Sequence, residues 1–167
     1  MRISRLSSIF LGVVVLAAPA ASGQALKAKA PAPAAARAVD PVRTVEITGS
    51  DEMKYSVTRI VAKRGEQLRI RLISKGTLPR IAMAHNVVIL KPGTNVAKFI
   101  EAGTSFRATD FIAPATKSAV LAQTRFAGPG ETVEVLFKVP AQAGTYPFVC
   151  TFSGHFAAGM VGAVVVK

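Results

Sequence analysis

Gln67-Leu-Arg-Ile-Arg-Leu-Ile73 alternates strictly: Leu68, Ile70 and Leu72 face one way, Arg69 and Arg71 the other. A period of two places one face of a strand on a core and the other in water. Thr132–Val139 repeats the pattern, with Val133, Val135 and Phe137 opposing Glu134 and Lys138. Six further β-rich runs surround these two: Val42–Thr48, Tyr55–Ala62, Asn86–Leu90, Ser118–Phe126, Thr145–Thr151 and Met160–Val166. Turn residues separate many of them, at Gly49-Ser50-Asp51, Lys63-Arg64-Gly65-Glu66, Gly128-Pro129-Gly130 and Ala141–Gly144. Eight short strands without a long helical period predict an all-β domain, either a two-sheet sandwich or a Greek-key barrel. Pro92–Pro114 breaks the alternation and is expected to hold a short helix and loops.

The chain has 167 residues, enough for one domain with an appendage. Residues 1–23 read as a signal peptide: Arg2 and Arg5 precede the short apolar run Ile9–Leu16, and small residues follow, with cleavage after Ala20 or Gly23. The run is too short for a comfortable membrane span, so export, and hence the periplasm, is expected over an uncleaved anchor. Residues 24–43, QALKAKAPAPAAARAVDPVR, lack packing and turn patterns and read as an Ala/Pro/Lys-rich flexible tether, basic enough to associate with a surface. The domain is expected over residues 44–167.

The whole chain carries a formal charge of +12; from Thr44 onward, 15 basic residues face 8 acidic ones, a net of +7. These charges are scattered, with no basic run interleaved with aromatics, so nucleic acid is not an expected partner. A basic surface steers toward acidic protein partners or anionic membranes. A single Cys excludes an internal disulfide framework and a Cys-rich zinc module.

The chemistry concentrates in Cys150-Thr-Phe-Ser-Gly-His155-Phe-Ala-Ala-Gly-Met160, a C-x4-H-x4-M stretch between two β-runs. It holds the only Cys and one of the two His; the other, His85, heads a distant strand. Taken singly, each residue reads more readily as ordinary core. Together, a thiolate, two imidazoles and a thioether are the soft donor set that suits copper; two His and one Cys with a weak axial Met form the blue-copper electron-transfer arrangement. Zinc is the rival metal, and Met is a poor ligand for it.

The segment from Thr44 resembles the blue-copper (cupredoxin) proteins, azurin most of all. The resemblance is carried by Val45-Glu-Ile-Thr-Gly-Ser-Asp-Glu-Met53, by Leu78-Pro79 with Met83-Ala84-His85-Asn86, and by Cys150-Thr-Phe-Ser-Gly-His155. It implies an eight-stranded Greek-key β-sandwich with a helical flap near Pro92–Pro114. It also implies one copper ion held by His85, Cys150 and His155, with Met160 axial. Asn86 resembles the residue that ties the His-bearing strand to the Cys-bearing loop. Met83, Phe152, Phe156 and Ala157 correspond to an apolar patch around a partly exposed His155, where partners dock. The chain departs from azurins in lacking their disulfide and core Trp, and in having Ala84 where a Gly is usual. Its His-to-Met spacing is one residue longer, as in plastocyanin-like loops.

These readings predict an exported metal-binding protein of electron transport, a Cu(I)/Cu(II) shuttle between redox partners with acidic docking surfaces. The alternative is a copper carrier or storage protein delivering metal to an oxidase. An enzyme is not expected, because no further His remains for a substrate-accessible second copper.

Overall fold

The computed structural model describes residues 42–167; the expected signal peptide, and the expected tether up to Pro41, lie outside the described residues. The strands are β1 (Arg43–Gly49), β2 (Arg59–Ala62), β3 (Gln67–Ser74), β4 (Val88–Leu90), β5 (Val120–Gln123), β6 (Thr132–Lys138), β7 (Gly144–Val149) and β8 (Val161–Val166). One α-helix, α1 (Val96–Gly103), and 3-10 turns at Arg107–Thr109 and Pro114–Ala119 lie between β4 and β5. The flap is therefore helical, as expected, and runs a few residues past Pro114.

Two sheets form, β1-β3-β6 and β2-β8-β7-β4-β5. β1 pairs with β3 rather than with its chain neighbour β2, and β2 pairs parallel with β8. The chain thus crosses repeatedly between layers, which gives the Greek-key sandwich. The alternation of β3 does what its sequence requires: Leu68, Ile70 and Leu72 are fully buried, while Arg69 and Arg71 lie toward solvent among Glu46 and Glu134. They meet Ile47, Phe137, Phe148 and Val164 in the main core between the sheets. A smaller cluster of Val88, Leu90, Phe99, Ile112 and Val149 seats the flap. Asn95 starts α1, its Oδ1 accepting from Lys98 N at 3.0 Å, and Phe99 anchors its inner face.

Three boundaries differ from the sequence reading. β1 begins at Arg43, within the expected run Val42–Thr48, where Arg43 pairs with Leu68; its guanidinium bridges Glu66 Oε1 at 2.6 Å and the Val61 carbonyl at 2.8 Å, so the tether expected through residue 43 stops short of Arg43, which belongs to the folded part. β2 keeps only the last four residues of Tyr55–Ala62, since Tyr55 makes a lone bridge to Gly49 where the chain changes sheets. β5 starts late because Pro114, at the first turn of a 3-10 helix, draws residues through Ala119 out of the strand.

Candidate metal centre

His85 and Cys150 reach one point from opposite directions. His85 is held on the approach to β4 by two backbone hydrogen bonds with Ala127, at 2.9 and 2.7 Å. Cys150 follows the end of β7. The chain then loops out and returns to β8, closed by Met160 N to the His155 carbonyl at 2.9 Å and Cys150 N to the Met160 carbonyl at 3.2 Å. Gly154 and Gly159 take φ of 85° and 92° in this loop, a backbone region that glycine enters without steric cost. The turn that brings His155 and Met160 back toward Cys150 depends on them.

Ligand atoms of His85, Cys150 and His155 lie within 4.8 Å of one another, and all three residues are buried. The Cys150 sulfur is 3.4 Å from His155 Nδ1 and 3.9 Å from the Ala84 carbonyl oxygen. The imidazole centroids are 5.0 Å apart. Met160 is fully buried, and its Cε lies on the His85 side of the site, beside Gly49. The four residues that the sequence brings forward are thus gathered at one place. Ala84 keeps its carbonyl directed at the sulfur despite its added methyl.

Burial depresses the basicity of both imidazoles. His155 is lowered to about 4, chiefly by desolvation with a contribution from His85; His85 is lowered by desolvation, partly offset by Asp51. Desolvation pushes the Cys150 thiol up to about 12, opposed by the backbone N–H groups of Asn86 and Phe152. Near neutral pH the centre therefore holds two neutral imidazoles and a thiol. The two rings are ready to donate lone pairs, and the thiol becomes a thiolate only if something replaces its proton.

His85 supplies the decisive test. Both of its ring nitrogens are buried and make no hydrogen bond. A buried imidazole left without partners costs about 1–3 kcal/mol per unsatisfied group. A soft cation placed among the Cys150 sulfur and the two imidazoles removes that deficit. The donor set of one thiol, two imidazoles and one thioether suits copper better than zinc.

The surrounding shell is built from several elements. Asn86 Nδ2 donates to Thr151 Oγ1 at 2.9 Å, and Thr151 N donates to Asn86 Oδ1 at 2.9 Å. Thr151 Oγ1 also reaches the Asp110 carbonyl at 2.6 Å, attaching the flap to the Cys-bearing loop. Met83 is buried, and the Phe152 ring packs 4.8 Å from that of His155. Phe156 turns away into the smaller cluster, and Ala157 is exposed. His155 is only 1 % exposed, so the expected partly exposed ring is corrected: the ring is buried, with Phe152 packed on it.

Two contacts were invisible in the sequence. Lys54 Nζ donates to the Ala158 carbonyl between His155 and Met160, and its neighbour Tyr55 donates its hydroxyl to the Asn86 carbonyl. Consecutive residues of the β1–β2 connection thus grip both ligand-bearing segments.

Comparison with known proteins places this arrangement. The family described as copper binding proteins, plastocyanin/azurin family, matches residues 42–167. Auracyanin-A of Chloroflexus aurantiacus is 33% identical over 126 residues, 74% of this chain and 74% of that protein. Azurin of Alcaligenes faecalis is 34% identical over 116 residues, 68% of this chain and 90% of azurin. The solved structure of auracyanin A, titled a "blue" copper protein, superimposes with a TM-score of 0.67 and 32% identity, covering 76% of this chain and all of that one. The dithionite-reduced auracyanin of Roseiflexus castenholzii gives a TM-score of 0.65 at 29% identity, over 74% of this chain and 96% of its own. With the ligand atoms gathered in a buried sandwich site and the match running through the whole described segment, the chain belongs to the plastocyanin/azurin family of copper-binding proteins.

Proposed function

We propose that this chain is an electron-transfer protein in which His85, Cys150 and His155 would hold a single copper ion, with Met160 as a weaker fourth donor. When bound, copper supplies a one-electron Cu(I)/Cu(II) couple. The protein's part is to keep the donors fixed in both states. Backbone pairing with Ala127 holds His85, the Asn86–Thr151 bonds hold the segment beside Cys150, and Lys54 holds the His155–Met160 loop. Burial of all four donors keeps water from the place where they would hold the ion. The single observation that carries the reading is His85, with two buried ring nitrogens unpartnered beside the Cys150 sulfur.

The export signature read in residues 1–23 supports work in the periplasm. The net +7 from Thr44 onward supports docking to acidic surfaces on redox partners, with rates that fall as salt rises. Phe152, packed on His155, is the short route from ring to surface.

The test is a redox titration of the copper-loaded chain. A reversible change consuming one electron per bound copper, cycled without loss of metal, supports the shuttle. Copper released on each reduction would indicate delivery rather than electron transfer.

A further inference from the structure

An open cleft of about 370 Å3 lies beside the metal centre, walled by Phe111, Phe126 and Phe152, with Arg80 and Arg107 at its rim and Ala84 at its inner end. The three rings support one another edge-on: Phe111–Phe126 centroids are 6.2 Å apart at 77°, Phe111–Phe152 5.9 Å at 68°, and Phe126–Phe152 5.6 Å at 89°. Such tilted contacts are favourable in themselves, so the wall stands without an occupant.

Local backbone strain is spent on this wall. Asp110 and Phe111 both take φ of 55°, a region that costs non-glycine residues free energy. Thr151 Oγ1 on the Asp110 carbonyl at 2.6 Å, and Phe111 N on the Phe106 carbonyl at 2.9 Å, hold the pair there. The result aims the Phe111 ring into the cleft. Asp110 lines a neighbouring cleft with Thr109 and Lys117, and its carboxylate interacts electrostatically with Arg80, so Arg107 is the cation left for an anionic head.

The rim is cationic and partly preset. Arg80 Nη1 meets Glu131 Oε2 at 2.5 Å and Nη2 meets the Phe126 carbonyl at 3.0 Å. Arg107 makes no ion pair or side-chain hydrogen bond among the described residues. A guanidinium presents a planar fork that matches a carboxylate. Flat apolar walls beside one unpaired guanidinium, in a volume at the small end of ligand sites, select a molecule of one or two rings carrying one anionic head.

We propose that this cleft binds a small aromatic carboxylate, its ring against Phe111, Phe126 and Phe152 and its head on Arg107, with Arg80 beside it. This goes beyond electron transfer and does not depend on it. Occupancy would still be felt at the metal centre, because Phe152 packs on His155 and the Ala84 carbonyl faces the Cys150 sulfur.

The experiment is an NMR titration of the full-length chain, metal-free and copper(I)-loaded, with 2-naphthoate, its neutral amide 2-naphthamide, and a blocked Glu-Phe-Glu peptide. The expected result is saturable 2-naphthoate binding with Kd below about 1 mM, with shifts centred on Phe111, Phe126 and Phe152. The amide should bind at least about ten-fold more weakly, as should 2-naphthoate to Arg107→Gln, whereas Arg64→Gln on a distant turn should match the unmodified chain. Four results overturn the proposal: no saturation by about 10 mM, equal affinity for the amide, undiminished binding to Arg107→Gln, or shifts centred elsewhere. Tighter binding of the peptide than of 2-naphthoate would overturn it too, by assigning the cleft to a partner's acidic segment.

Discussion

Asn86 and Thr151 exchange two hydrogen bonds of 2.9 Å although 65 residues separate them, and each stands next to a candidate copper ligand, His85 and Cys150. The pair is buried, so no water can substitute for either bond. Asn86→Ala leaves the Thr151 N–H and hydroxyl without these partners and should destabilise the metal-free chain by about 2–4 kcal/mol. Urea unfolding measures this directly, and a loss below about 1 kcal/mol would show that the tie is not structural.

Gly49 ends β1 against the metal centre, and a Cβ there would come within 2.9 Å of the His85 ring carbons and 3.0 Å of Met160 Cε. His85 is fixed at its backbone, so a Gly49→Ala variant must move the ring or the thioether. Copper affinity should fall about 10–100-fold, the range for disturbed support of a ligand. Competition against a chelator of known affinity reads it; unchanged affinity together with an unchanged spectrum would contradict the placement of His85 and Met160.

Copper uptake should release a proton. Burial pushes the Cys150 thiol up to about 12, so it carries its proton at neutral pH, whereas His155, lowered to about 4, and His85, also lowered, carry none. Calorimetry in buffers of different ionisation enthalpy should therefore return close to one proton per copper at pH 7, and none in Cys150→Ser. A value near zero for the unmodified chain would mean that the sulfur does not bind the metal as thiolate.

Acid should weaken the metal-free fold before most carboxylates titrate. His155 is lowered from 6.5 to about 4, so below pH 6.5 the unfolded chain takes up a proton that the folded chain refuses. The stabilisation is complete above pH 6.5 and lost as pH falls toward 4, about 3 kcal/mol in all, with His85 acting in the same sense. Equilibrium unfolding followed across this window should show the decline, and His155→Gln should flatten it. An equal slope in that variant would assign the effect to other groups.

Much of this was legible in the sequence because two periodic signals carry it. The alternation of Gln67–Ile73 and Thr132–Val139 marks β3 and β6, which are buried on one face only. The C-x4-H-x4-M spacing marks a loop whose ends are neighbouring strands, and β7 and β8 do pair. What could not be read was long-range and unpatterned. Lys54 meets Ala158 across 104 positions, and Thr151 meets Asp110 through a backbone carbonyl that any residue would supply. The burial of His155 depends on how the Phe152 ring folds over it, which spacing does not encode. Arg43 looked like tether because its neighbours on the N-terminal side are Ala and Pro; its partners, Glu66 and Val61, lie on other strands.

The most direct measurement is the visible absorption and EPR spectrum of the full-length chain loaded with Cu(II), beside Cys150→Ser. A thiolate bound to copper in a His2Cys site predicts an intense visible charge-transfer band and an unusually narrow copper hyperfine splitting, both abolished in the variant. A pale Cu(II) spectrum of ordinary hyperfine width, identical in the two proteins, would contradict the convergence of His85, Cys150 and His155 on one ion.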